Sequence, residues 1–166
     1  SNPEIRRWLC ELITPVALLS HADPFYQRYW SPAYGMLPRW HHNRLTTLEP
    51  KPEGLTELTL TFYSEHSEFD AISQTLTTLL AAHGVTLVIQ VLDYVSWYQG
   101  DAHSDIWLGS ANFYLPLEFS LFATLYDLPL LQHCLDEKLH QDVELWRNNT
   151  LPMADWSQRL VSQNQF

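Results

Sequence analysis

The sequence predicts an α/β fold built on a parallel sheet. Two strand-like runs, residues 58–63 (LTLTFY) and 85–91 (VTLVIQV), flank an amphipathic helical stretch, and a third apolar segment at Ile106, Trp107 and Leu108 follows a short polar excursion. This β-α-β-x-β order is the unit from which parallel sheets are assembled. In open sheets of this kind ligands bind at the carboxyl ends of the strands, so the pattern points to a place for a site as well as to a fold.

In the first run Thr59, Thr61 and Tyr63 alternate with Leu58, Leu60 and Phe62, with no Pro or Gly inside, which predicts a strand. Between Ser67 and His83 the residues Phe69, Ile72, Leu76, Leu79 and Leu80 fall on one helical face. Ser67 stands in the N-cap position, and Glu68 and Asp70 suit the positive end of the helix dipole. Gly84 supplies a left-handed residue to close the helix. The second run is apolar on both faces except at Thr86 and Gln90, which predicts a strand buried on both sides. The third strand is expected to end near residues 109–111.

The flanks have a different texture. Ile5, Trp8, Leu9, Leu12 and Ile13 recur at helical spacing, and Pro15 is expected to break that run. Residues 20–54 are rich in Pro, Trp, Tyr and His and lack periodicity; they are expected to be ordered by packing their aromatics on a neighbouring surface. The PKPEG run at residues 50–54 reads as a turn before the first strand. After Pro116 the chain reads as helical, with stripes at Leu117, Leu121, Leu125 and Leu128 and at Leu131, Leu135 and Leu139. A helix is expected over residues 136–146 and a last one over residues 154–161. One domain of 166 residues is expected, with residues 1–54 a helix plus aromatic loop, 55–113 the β-α-β-x-β core and 114–166 the helical part.

Composition narrows the function classes. The chain is 46% hydrophobic, which excludes disorder, and carries a formal net charge of −10 from nine basic and nineteen acidic side chains. That balance leaves no stripe of Lys and Arg for phosphates, so direct nucleic-acid binding by this segment is not expected. No run approaches the ~20 apolar residues of a membrane span, and no signal-peptide pattern leads the chain. Cys10 and Cys134 read as reduced thiols.

Several chemistries find no support. His133 and His140 lie two helical turns apart, too far to share one ion, and Glu137 with His140 makes a single E-x-x-H where a di-iron site needs two such motifs and further carboxylates. Cys134 beside His133 does not face it on a helix. No G-x-S-x-G, P-loop or G-x-G-x-x-G is present. The expectation is a non-catalytic protein with no cofactor and no metal.

The order of pieces resembles the second lobe of the peptide- and nickel-type extracellular solute-binding proteins (family 5). The matching pieces are a helix at residues 6–13, the A-x-G-x-x-P loop at residues 33–38 (AYGMLP), the strand at 58–63 and the helix at 69–83. They continue with the GV-x-(V/L) strand at 84–91, the aromatic helix at 94–98, the D-(I/M)-x-L strand at 105–110 and the proline loop at 115–119. The wording SPAYGMLPRWHHNR resembles one branch more closely, the SgrR-like transcriptional regulators of the sugar-phosphate stress response. In that branch an N-terminal winged-helix DNA-binding domain, absent here, precedes a solute-binding domain. The resemblance implies a periplasmic-binding-protein-like (type II) lobe, mostly parallel sheet flanked by helices. It also implies a cytoplasmic location, a small-molecule effector (a sugar or sugar phosphate) held against a partner lobe of the same chain, DNA contact only through the absent domain, and no membrane. The alternative is the substrate-binding lobe of a peptide/nickel-type ABC transporter binding protein.

Two departures from the family matter. Peptide-binding members carry an aspartate just after the third strand, where this chain has Ser110, Ala111 and Asn112. Asn112 hydrogen-bonds without charge, which suits a hydroxylated ligand. The family's helix between the proline loop and the first strand is also missing. Strand ends and resemblance together nominate Ser64 and Glu65 after the first strand, Asp93 and Tyr94 after the second, and Ser110, Asn112 and Tyr114 after the third. Trp97 and Tyr114 could stack on a sugar ring. Arg39, His41 and His42 form a compact cationic patch suited to a phosphate. The plainer readings are helix caps and turns for the polar residues, core for Trp97 and Trp107, and a solvated loop for the cationic patch.

Overall fold

The computed structural model describes residues 2–21, 24–29, 31, 50–110, 120, 128–132 and 137–148. Helix α1 (Pro3–Leu12) starts where Asn2 Oδ1 accepts the Glu4 N–H at 2.9 Å, with Pro3 at a first-turn position that needs no N–H. Its Trp8 is fully buried, with Ile5, Leu9 and Leu12 packed around the same core.

Pro15 does more than end that helix. It opens α2 (Pro15–His21), because Thr14 Oγ1 accepts the Ala17 N–H at 3.1 Å and Pro is tolerated in a first turn. Helix α3 (Pro24–Tyr29) begins in the same way with a proline. The early part of the aromatic segment therefore carries helix that its lack of periodicity did not announce. Its Phe25 and Tyr29 are 61% and 64% exposed rather than packed on a surface, and their rings meet each other at 4.9 Å. The remainder of that segment, residues 32–49, lies outside the described residues.

The β-α-β-x-β reading holds. Strand β1 (Glu57–Tyr63) leads to helix α4 (Glu68–Ala81), strand β2 (Thr86–Leu92), the short helix α5 (Tyr94–Gln99) and strand β3 (Ile106–Trp107). Strand β1 pairs in parallel with β2 from Glu57↔Thr86 to Tyr63↔Leu92, and on its other side with β3 at Leu60↔Ile106, giving the order β2-β1-β3. The central place of β1 explains why Leu58, Leu60, Thr61, Phe62 and Tyr63 are all buried. Burial of a side chain such as Leu60 contributes roughly 1.5–3 kcal/mol. The buried Thr61 hydroxyl is satisfied by donating to Gln90 Oε1 at 3.3 Å.

Helix α4 packs along β2 and buries Phe69, Leu76 and Leu80, three of the five residues of its expected apolar face. Ser67 does not cap it as expected: its backbone is already helical (φ −62°, ψ −27°) and its side chain makes no cap hydrogen bond. Gly84 adopts the left-handed conformation (φ 70°) that turns the chain into β2.

Strand β2 departs from the expectation of burial on both faces. Val88, Ile89 and Val91 are 42%, 40% and 50% exposed. The apolar composition is that of an inner strand, but among the described residues β2 is an edge of the sheet. Helix α6 (Pro129–Gln132) places Leu130 in the core beside α5, and α7 (Glu137–Arg147) lies within a residue of its expected bounds. The leucine stripe from Leu117 to Leu125, Leu135, the helix expected over residues 154–161 and Cys134 lie outside the described residues.

Candidate functional site

Parallel strands that end together bring three loops to one edge of the sheet. Ser64 and Glu65 leave β1, Asp93 and Tyr94 leave β2, and Gly109 and Ser110 follow β3; all six are exposed. The edge is fastened by backbone bonds. Ser64 donates its N–H to Leu92 O at 3.3 Å, and Leu108 donates to Thr61 O at 2.9 Å.

Tyr63, the last residue of β1, is the centre of this edge. Its ring lies 4.7 Å from Trp97, 5.2 Å from Tyr94, 5.2 Å from Phe69 and 5.3 Å from His66, centroid to centroid. Tilted and edge-to-face pairs at these distances are the favoured aromatic arrangements. Burial pushes the Tyr63 phenol above its ordinary value, while the Ser110 backbone N–H, which approaches the phenol oxygen, works weakly the other way. The sequence marked Tyr63 only as a strand residue. Its role follows from β1 being central, which no local pattern reveals.

Among the nominated residues, Trp97 is buried, 6% exposed, and its Nε1–H has no hydrogen-bond partner among the described residues. The exposed ring beside it is Tyr94, 47% exposed and stacked on Trp97 at 6.1 Å and 26°. A planar, half-exposed aromatic with a polar tip is the surface that a sugar ring packs on. Asp93 is engaged as the N-cap of α5. Its Oδ1 accepts the Ser96 N–H at 3.0 Å and its Oδ2 accepts the Ser96 hydroxyl at 2.7 Å. Those two bonds hold its carboxyl below the usual carboxylate range. Ser110 is exposed at the same edge, within reach of Tyr63. The other nominated residues, Asn112, Tyr114, Arg39, His41 and His42, lie outside the described residues.

Asp105, from the D-(I/M)-x-L motif, ties β3 to β1: its Oδ2 accepts the Thr59 N–H at 2.9 Å and its own N–H donates to Thr59 O at 3.1 Å. Ser104 adds a hydroxyl bond to Thr59 O at 3.0 Å. These bonds fix the start of the short third strand, and beyond its end Gly109 lies against Trp97 and Ser110 approaches Tyr63. Among the described residues no group of three His, Cys, Asp or Glu lies together as a metal site would require. No helix among them is long and apolar enough to cross a membrane.

Comparison with known proteins places this arrangement in a lineage. No family model matches the chain, and no solved structure matches it. Among curated proteins it is 90% identical over 165 residues to the HTH-type transcriptional regulator SgrR of Yersinia pseudotuberculosis serotype I. It is 56% identical over 165 residues to SgrR of Pectobacterium atrosepticum and 50% identical over 161 residues to SgrR of Photorhabdus laumondii. These matches cover 97–99% of this chain, while the chain spans only 29–30% of the length of those relatives. Identity at this level along nearly the whole chain makes it a segment of the SgrR family of HTH-type transcriptional regulators.

Proposed function

We propose that this segment is the ligand-sensing lobe of a bacterial transcriptional regulator that responds to sugar-phosphate stress. A small solute, a sugar or sugar phosphate, binds at the carboxyl ends of β1, β2 and β3, between this lobe and a partner lobe of the same polypeptide. Closure of the two lobes signals to an N-terminal winged-helix domain that contacts DNA in the cytoplasm. The observation that carries the reading is the aromatic cluster of Tyr63, Tyr94 and Trp97 at that edge, with Tyr94 presented to solvent. The relatives' designation as HTH-type regulators supports DNA as the partner of the whole protein rather than of this acidic segment.

The proposed lobe is a binding element and not an enzyme. Its ligand acts only through a difference in affinity between the open and closed states. The test is the thermal stability of the full-length protein against a panel of hexoses, hexose phosphates and short peptides, because a solute that binds the native state raises stability by RT ln(1 + [L]/Kd). A shift with a sugar or sugar phosphate and none with peptides is expected. A shift with peptides alone would return the protein to the ligands of the transport family, and no shift with any of them would leave the edge a surface for protein contacts.

A further inference from the structure

Among the described residues one buried side-chain polar atom has no hydrogen-bond partner, the Nε1 of Trp97. Its neighbours at the same edge are provided for. Ser96 bonds both carboxylate oxygens of Asp93, and the Ser110 N–H approaches the Tyr63 phenol. Buried polar groups in native proteins are nearly always paired, so an orphan donor needs a physical account. The indole cannot turn to find a partner of its own. Gly109 lies against its Cζ2 and Cη2, the Tyr63 ring stands 4.7 Å away, and the Asp93 cap and left-handed Gly100 pin α5 at its two ends. The acceptor must therefore come to the N–H.

We infer that the Trp97 indole N–H is the donor that selects a hydroxyl oxygen of the solute. The inference rests on the proposed solute site and adds one contact to it. Of the two rings packed on the indole among the described residues, Tyr63 is buried and Tyr94 is 47% exposed. Tyr94 is thus the ring that swings aside and admits an oxygen to Nε1, a rotamer change that exposed side chains make readily. Because Nε1 is already out of water, pairing it costs no desolvation of the donor, so a solute with the oxygen gains over one without it. Charge favours a hydroxyl over a phosphate. Of the six residues that leave the three strands, the two charged ones, Glu65 and Asp93, are acids, and the Ser96 bonds keep Asp93 ionised. A phosphate is repelled there, whereas a hydroxyl accepts from Trp97 and has its own proton to donate.

Titration of the full-length protein and its Trp97→Phe variant with a hexose phosphate and each of its single-deoxy analogues tests the contact. One deoxy analogue is expected to bind the wild type at least about tenfold more weakly than the parent compound. In Trp97→Phe the same analogue is expected within about twofold of the parent, a non-additivity that a purely packing role for the ring would not produce. Removal of the phosphate is expected to cost the same factor in both proteins. Deoxy losses that are equal in the two proteins at every hydroxyl overturn the inference and leave a water or another segment as the partner of Nε1. A phosphate effect that differs between the proteins overturns the choice of a hydroxyl. No binding of any hexose or hexose phosphate to the wild type overturns the solute site itself, an outcome distinct from both. Should Trp97→Phe fail to fold, the wild type alone supplies the answer. At saturating solute the exchange of the Trp97 indole N–H is expected to slow at least about tenfold more than that of Trp8, which is buried beside His83 ahead of β2. Equal slowing of the two indoles overturns the inference.

Discussion

Gly109 lies against the indole of Trp97 so closely that a Cβ at that position would fall 2.7 Å from Cη2 and nearer still to Cζ2. The contact joins the end of β3 to the buried face of α5 and sets the floor of the proposed site. Gly109→Ala must displace Trp97 or the strand end. A cost of about 1–3 kcal/mol is expected, as for other overpacked contacts, read as a lowered denaturation midpoint of the full-length protein. The same substitution is expected to weaken solute binding, since Tyr94 stacks on the ring that moves. An unchanged midpoint would mean that Trp97 yields freely.

Leu60 is fully buried at the centre of the sheet, between Ile89 on β2 and Ile106 on β3. Leu60→Ala leaves a cavity on the one face of the sheet that Leu60 shares with Ile89 and Ile106. A loss of about 2–5 kcal/mol is expected in equilibrium unfolding. A loss below about 1 kcal/mol would contradict the central position of β1.

The Asp93 cap gives an acid-side signature. Its two bonds from Ser96 lower its pKa in the folded state, so its contribution is present in full above the unfolded carboxylate range. It is lost as pH falls through that range to the lowered folded value. Asp93→Asn keeps an acceptor oxygen and removes the charge, so it should flatten the acid limb of the Tm against pH. Parallel acid limbs for the two proteins would show that the cap makes no charged contribution.

Tyr63 gives the opposite, alkaline signature. Its phenol is buried and its pKa is raised, so the folded state holds the proton after the unfolded state has released it. Stability is unaffected below the ordinary tyrosine value near 10 and falls as pH rises through it toward the folded value. Tyr63→Phe should remove this alkaline loss at a cost of about 0.5–1.5 kcal/mol near neutrality. An alkaline limb equally steep in the variant would assign the effect to another group.

What could be read from the sequence follows the range of the forces involved. The alternation at residues 58–63, the apolar face from Phe69 to Leu80 and the glycine at 84 are local signals, and they placed β1, α4 and β2 to within about two residues. The exposure of Val88, Ile89 and Val91 could not be read, because an inner and an edge parallel strand share a composition and differ only in neighbours. The same limit hid Tyr63, whose importance depends on three strand ends meeting. One local signal was present and passed over: Thr14 before Pro15 is a helix start as well as a helix stop. For Asp93 the plainer reading of a helix cap holds, with Ser96 three residues on supplying the N–H that it accepts.

Solute binding at the exposed aromatic edge turns on Tyr94. The most direct measurement is calorimetric titration of a hexose phosphate into the full-length protein, wild type beside Tyr94→Ala. Tyr94 is half exposed, so its removal should leave the fold intact. Saturable binding to the wild type and about tenfold weaker binding to the variant are expected, equivalent to about 1.4 kcal/mol. Equal affinity in the two proteins, or no binding to the wild type, would contradict this expectation.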